Sequence, residues 1–208
     1  MSSRTLFIGD VHGCATELRL LLDQVQPTRG ILVGDMFRKG PDNYGVWQLI
    51  QDWNLEAVMG NHDLVFLKKE SKDYPKALRK WLKSLPIWMQ GEYVDGNRKI
   101  KWRAVHAGVN PFKPKKTKRK EAVTLRRYPN DKSDKFPFWW EIYDKKRLVI
   151  YGHDAKRGLQ DHRPKTLGLD TGCVYGNGLT GYLLEEDRLI HIPSQQIYVT
   201  TKASRRSS

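Results

Sequence analysis

Hydrophobic and polar positions follow two rhythms along the chain. Thr5 to Ile8 is a short apolar run that ends in Gly9-Asp10. Leu18, Leu21, Leu22 and Val25 then recur at helical spacing and predict a helix over 17–26. Ile31-Leu32-Val33 reads as a second strand, ending in Gly34-Asp35. Pro41 and Asp42 open a helix that carries Val46, Leu49, Ile50 and Trp53 on one face. Leu55 to Met59 is a third strand, ending in Gly60-Asn61-His62-Asp63, and a helical stretch is expected from there to about Leu82.

The rhythm then changes to strands. Ile87 to Tyr93 and Ile100 to Val105 flank Asp95-Gly96, a hairpin signal. Leu148 to Tyr151 ends in Gly152-His153, and Thr166 to Leu169 ends in Asp170-Thr171-Gly172. Leu179 to Leu184 and Leu189 to Ile192 read as a closing hairpin around Glu186-Asp187. Units of βα type in the first half and strands in the second predict an α/β layered fold: two packed sheets with helices outside.

Composition narrows the class. The 208 residues suit a single domain over 1–200, with 39% hydrophobic and 29% charged residues, the range of a globular chain. Mean hydropathy is −0.64, and no apolar run approaches the length of a membrane span. Met1-Ser2-Ser3-Arg4 leads straight into the first strand with no cleavage region. Two cysteines, Cys14 and Cys173, make neither a disulfide framework nor a Cys-rich metal site. A reducing, cytoplasmic setting is therefore expected.

Lys and Arg number 37 against 23 Asp and Glu, a net charge of +14. Such a surplus permits polyanionic partners. Half of it lies between Lys113 and Lys135, where ten basic residues meet three acids. Segment 111–137 therefore reads as a surface insertion, a small basic cap, and 201–208 as a disordered basic tail. The cap is expected to lean over the active site and to govern affinity for long polyanions.

The chemistry sits at the strand ends. Asp10 and His12 follow the first strand, Asp35 the second, and Asn61 and His62 the third. His106 follows the hairpin strand and His153 the strand after the insertion. Carboxyl ends of strands are where α/β sheets place ligands. Any one of these residues alone reads as a turn, a cap or a structural histidine. Five strand ends in order, each with the right residue type, are hard to produce that way. Asp10, His12, Asp35, Asn61, His106 and His153 supply hard oxygens and imidazoles, a mixture suited to two divalent ions: Mn first, with Fe, Zn or Co also suited.

The motifs also carry a resemblance. Gly-Asp-Val-His-Gly (9–13), Gly-Asp-Met-Phe-Arg-Lys-Gly-Pro (34–41), Gly-Asn-His-Asp (60–63), Val-His-Ala-Gly-Val (105–109) and Tyr-Gly-His-Asp (151–154) resemble the five signatures of the phosphoprotein-phosphatase-like metallophosphoesterases. Leu-Asp-Thr-Gly-Cys-Val-Tyr-Gly-Asn-Gly-Leu-Thr (169–180) is similar to the closing motif of bacterial diadenosine tetraphosphatases, and 152–160 looks like the shorter ApaH-like phosphatases. The resemblance implies a two-sheet αββα metallophosphoesterase sandwich. It implies that Asp10 and His12 hold one metal, that Asp35 bridges, and that Asn61, His106 and His153 hold the other. Two such ions ionise a bridging water for in-line attack on phosphorus.

By the same resemblance His62 is the proton donor to the leaving oxygen. Related protein phosphatases carry an Asp three residues after the bridging Asp, where it orients that histidine; this chain has Arg38 there. Asp63, or another acid, then takes that part. Arg38 and Lys39 place two cations beside the bridging carboxylate, suited to phosphate oxygens, and Arg157 is a further phosphate-binding candidate. Cys14 lacks a dedicated base and reads as structural, and Trp139 and Trp140 read as packing rather than as a base-stacking platform.

The expected activity is hydrolysis of phosphoanhydride bonds. Substrates implied are dinucleoside polyphosphates such as diadenosine tetraphosphate, or capped RNA 5′ ends, with inorganic polyphosphate an alternative. A phosphoprotein phosphatase fits less well, since Leu64-Val65-Phe66-Leu67 lacks the arginine those enzymes carry after Gly-Asn-His. A catalytically dead RNA-binding scaffold is opposed by the intact ligand set. No membrane partner is expected.

Overall fold

A computed structural model describes residues 3–129 and 133–200. The basic tail expected at 201–208 lies outside the described residues. Strand β1 (Thr5–Ile8), helix α1 (Ala15–Val25), β2 (Arg29–Leu32), α2 (Asn43–Asp52) and β3 (Glu56–Ala57) form two consecutive parallel crossover units. Helices α3 (Asn61–Lys69) and α4 (Lys76–Ser84) follow. The hairpin β4 (Trp88–Asp95) and β5 (Arg98–Val105) comes next, then the short helix α5 (Arg119–Thr124). Strands β6 (Leu148–Tyr151), β7 (Gln160–His162), β8 (Thr166–Gly168), β9 (Gly178–Leu183) and β10 (Arg188–Pro193) complete the order.

The strands form two five-stranded sheets, β10-β9-β1-β2-β3 and β4-β5-β6-β8-β7. β1 to β3 run parallel, and β9 closes antiparallel on the free side of β1. In the second sheet β5, β6 and β8 run parallel. The expected two-sheet αββα sandwich is therefore observed. Its central strands read as unbroken apolar runs because both faces are covered. Leu6, Ile8 and Leu32 point outward into the cluster built with α1 and α2. Their neighbours Phe7, Ile31 and Val33 point inward against Trp102, Ala104, Ile150 and Leu167 of the second sheet. Burying each such side chain is worth about 1.5–3 kcal/mol, and the period-two alternation divides that gain between two cores.

The outer face of the second sheet has its own cover. Val105, Val149 and Tyr151 pack under Ala122 and Leu125, from and just after α5, together with Trp139 and Tyr143. Segment 111–137 thus carries a helix with a buried side. Trp139 is buried and donates from Nε1 to the Ala107 carbonyl at 3.0 Å.

Three local expectations are corrected. The helical stretch expected to run to about Leu82 is interrupted: α3 ends at Lys69, a short 3-10 turn at Ser71–Asp73 follows, and Pro75 opens α4. The third strand is only two residues long. β7, with the polar sequence Gln-Asp-His, gave no strand pattern and exists because it pairs antiparallel with β8.

Candidate metal centre

The six expected metal-binding residues come from the carboxyl ends of five parallel strands. Asp10 and His12 lie in the loop after β1, Asp35 after β2, and Asn61 at the start of α3 after β3. His106 follows β5, and His153 follows β6. The backbone is strained where it delivers them. Among the described residues eight non-glycine positions have positive φ, and five of these are His12, Asp35, Arg38, Lys39 and His153. Left-handed backbone at non-glycine residues persists only where surrounding structure holds it, and it gathers at functional sites. Two glycines are required by close approach: a Cβ on Gly152 would overlap the Asp10 carboxylate, and one on Gly60 would overlap that of Asp35.

Asp35 is the centre of the arrangement. Its Oδ2 lies 3.6 Å from His12 Nε2 and its Oδ1 lies 3.4 Å from His106 Nε2. Ligand atoms of His12, Asp35 and His62 fall within 4.8 Å of one another, as do those of Asp35, His106 and His153. His106 Nε2 is also 2.9 Å from Asn61 Oδ1. Asp10 accepts the His153 backbone N–H on both oxygens, at 3.1 Å each.

Three histidines present Nε2 to the site because Nδ1 has a backbone partner. His12 Nδ1 faces the Phe37 carbonyl at 3.4 Å and His106 Nδ1 faces that of Val33 at 3.0 Å. The His153 ring donates a hydrogen bond to the backbone of Thr124, at the end of α5. Arg126 Nη2 donates to the His153 carbonyl at 3.0 Å. Such partners fix the tautomer and ring orientation of metal-binding histidines. The basic segment therefore positions a candidate ligand.

The donor set fits divalent cations. His153 Nε2 is buried and has no hydrogen-bond partner among the described residues, a costly state for a polar nitrogen. Burial, with the charges of Asp170 and Asp35, pushes the Asp10 carboxyl well above the usual range. Burial lowers His12 to about 3 and His153 to about 2, so both stay neutral with a lone pair to offer. Burial opposes ionisation of Asp35, but His106 and His12 outweigh it and hold that carboxylate ionised. Buried acids beside neutral imidazoles match the needs of a bound cation.

The remaining expected residues divide. His62 stands edge-on to His12 with ring centroids 5.0 Å apart, and its backbone N–H donates to Asp35 Oδ1 at 2.8 Å. Arg38 Nη1 lies 3.2 Å from His62 Nδ1, while Arg38 Nε donates to Glu70 Oε1 at 2.6 Å. Asp63 is fully buried. Its carboxylate accepts backbone N–H groups of Asp35 (2.8 Å), Met36 (3.0 Å), Phe37 (3.2 Å) and Gly60 (3.1 Å). Burial and the nearby Asp35 charge raise its carboxyl to about 7.

Lys39 reaches inward, with Nζ 2.9 Å from His12 Nε2 and over the Tyr175 ring at 5.3 Å. Arg157 pairs with Asp154 at 2.9 Å and lies 3.8 Å above the Phe138 ring.

These groups open into a cavity of about 870 Å³. Asp10, His12, Asp35, Asn61, His62 and His153 form its floor, and Lys39, Arg126, Lys156 and Arg157 add cations to its lining. Arg38 is not part of that lining, and of segment 111–137 only Arg126 is. Sequence reasoning assigned no site role to Arg126, Asp154, Ala155, Lys156, Asp170, Tyr175 or Asn177, all of which line the cavity. Asp170 is buried, burial raises its carboxyl to about 6, and the motif 169–180 was the available signal for three of these residues. Cys14 and Cys173 are both buried and free, and their mutual hydrogen bond with burial pushes the Cys14 thiol up, away from a nucleophile's range.

A two-sheet sandwich whose strand ends gather aspartates, histidines and an asparagine defines the metallophosphoesterase class. The chain belongs to the calcineurin-like phosphoesterase family, which it matches over residues 3–185. It is 26% identical to a symmetrical bis(5′-nucleosyl)-tetraphosphatase of Baumannia cicadellinicola subsp. Homalodisca coagulata, covering 92% of this chain and 93% of that protein. It is also 26% identical to the asymmetrical bis(5′-nucleosyl)-tetraphosphatase PrpE of Bacillus subtilis (strain 168), covering 92% and 95%. Among solved structures, a candidate diadenosine tetraphosphatase superposes with a TM-score of 0.81 at 28% identity, covering 93% of this chain and 95% of that one. A serine/threonine phosphatase of Saccharomyces cerevisiae shares the fold alone, with a TM-score of 0.59 at 14% identity. Calcineurin-like metallophosphoesterases work with divalent metal ions, which the Asp and His groups gathered here could hold. No helix among the described residues is long and apolar enough to cross a membrane.

Proposed function

We propose that the protein hydrolyses phosphoanhydride bonds in dinucleoside polyphosphates of the diadenosine tetraphosphate type or in the chemically similar capped 5′ ends of RNA. The observation that carries this reading is the Asp35 carboxylate, shared between two clusters of imidazoles on the floor of a cation-lined cavity. Relatives named bis(5′-nucleosyl)-tetraphosphatase over nearly their whole length support the substrate class.

Asp10, His12, Asp35, Asn61, His106 and His153 would hold two divalent ions, Mn²⁺ foremost. When bound, the ions supply Lewis acidity and an ionised water at neutral pH. Lys39 and Arg157 stand where phosphate oxygens would enter and grip them by charge-assisted hydrogen bonds. A cation using the His12 Nε2 lone pair would displace Lys39 from it, and the ammonium would then be free to bind a substrate phosphate. His62 holds its backbone on Asp35 and its ring on the pocket side. Arg38 can only donate, so His62 Nδ1 accepts and Nε2 carries the proton that faces the leaving oxygen. Arg38, held by Glu70, is the group that orients His62, and Asp63 keeps the loop in place. A leaving nucleoside polyphosphate is a weak base and needs little protonation, which suits a neutral imidazole.

The test is a panel of diadenosine tetraphosphate, capped RNA, long-chain polyphosphate and a phosphopeptide, each with Mn²⁺, ranked by kcat/KM. The dinucleotide or the capped end should lead. A lead for polyphosphate or the phosphopeptide overturns the assignment.

A further inference from the structure

A second concentration of positive charge lies away from the cavity. Residues 68–83 hold seven Lys or Arg against two acids. Four of them, Lys76, Arg79, Lys80 and Lys83, lie at positions i, i+3, i+4 and i+7 of α4, on one face of the helix. Together they line a surface hollow of about 350 Å³. None of the four makes an ion pair among the described residues; the acid nearest in sequence that pairs at all, Glu70, is taken by Arg38.

This arrangement works against the helix. Lys76–Arg79, Lys76–Lys80, Arg79–Lys83 and Lys80–Lys83 are all like-charged neighbours, and each such pair is destabilising. Lys76 also sits in the first turn, where a cation opposes the helix dipole. An anionic chain laid along the face removes these penalties. Cations three or four residues apart are separated by about 4.5–6 Å along the axis, so the face presents repeated contacts to a polymer.

We infer that the Lys76–Lys83 face of α4 is a docking surface for single-stranded nucleic acid, engaging its phosphate backbone. A membrane surface is the poorer occupant. A helix lying on lipid must free its apolar side, and here Leu78 and Leu82 are fully buried while Trp81 packs on Trp47 with centroids 5.5 Å apart. The inference stands apart from the hydrolytic reading, because it concerns residues outside the cavity and is tested by binding.

The probe is an uncapped 20-nucleotide RNA, read by fluorescence anisotropy over a salt series. The variant combines Lys76→Gln, Arg79→Gln, Lys80→Gln and Lys83→Gln; glutamine keeps helix propensity. Each phosphate contact to a single strand contributes a log K against log salt slope of about −0.7. Loss of all four should flatten the slope by up to about 2.8 and weaken binding about a hundredfold at 0.15 M salt. Diadenosine tetraphosphate hydrolysis should stay at the wild-type rate, which shows that the variant is folded. Arginine at positions 76, 80 and 83 should retain binding. Unchanged RNA affinity and slope overturn the inference. So does a loss confined to phosphatidylserine vesicles or to inorganic polyphosphate, or a loss seen only when Lys115, Lys116, Lys118, Arg119 and Lys120 are replaced by Ser.

Discussion

Replacing Asp63 separates a structural clip from a chemical group. The carboxylate joins the loop after β2 to the start of α3 by accepting four backbone N–H groups, two on each oxygen. Asn has the same shape but keeps one oxygen, so in either orientation its NH₂ faces two amide donors. Each buried amide left without an acceptor costs about 1–3 kcal/mol, which gives about 2–6 kcal/mol for the pair. Removing the negative charge relieves repulsion with Asp35, so the lower half of that range is the working expectation. For a domain of this size about 1 kcal/mol moves Tm by about 2–4 °C. Asp63→Asn should therefore lower Tm by at least about 4 °C, and Asp63→Ala, which abandons all four amides, by more. Thermal unfolding in excess chelator removes the contribution of bound metal. Parallel kcat/KM values on diadenosine tetraphosphate report the site. A Tm within 2 °C of wild type together with a hundredfold or larger loss of kcat would refute the clip and make Asp63 a participant in the reaction.

Activity should vanish on chelation and return with Mn²⁺, and Asp35→Asn should cost several orders of magnitude in kcat because it removes the shared charge; wild-type rates in either case exclude a metal pair at Asp35. His62→Ala should depress hydrolysis of a phosphomonoester with an alkoxide leaving group far more than that of diadenosine tetraphosphate, and equal losses on both would remove the proton-donor role. Gly152→Ala drives a Cβ into the Asp10 carboxylate. It should lower metal affinity, read by calorimetric titration with Mn²⁺, at least tenfold; unchanged affinity would show that Asp10 is not a ligand.

Sequence alone determined the layers and the pool of donors. The alternating apolar runs of β1, β2, β6 and β8, with helical spacing between the first of them, require sheets covered on both faces. The glycine-plus-ligand endings mark which strand ends face one space, because short donors must follow a sharp turn there. What the sequence could not determine is where distant segments meet. The pairing of β9 with β1 sets residues more than 170 positions apart side by side, and no local pattern encodes it. β7 and α5 were missed for the same reason: Gln160–His162 is polar, and Arg119–Thr124 hides two buried residues inside a run of lysines. Tertiary structure also redistributed roles among neighbours in the chain. Arg38 looked like a phosphate ligand by its place beside Asp35, yet Glu70 from the end of α3 draws its guanidinium to the back of His62. Asp63 looked like an acid partner for His62, yet the loop folds its amides around that carboxylate. The cap was expected to meet polyanions through its lysines, yet within it Thr124 and Arg126 are the residues that reach His153. In each case the side chain's chemistry was legible, and its partner was supplied by a segment that only folding brings within hydrogen-bonding distance.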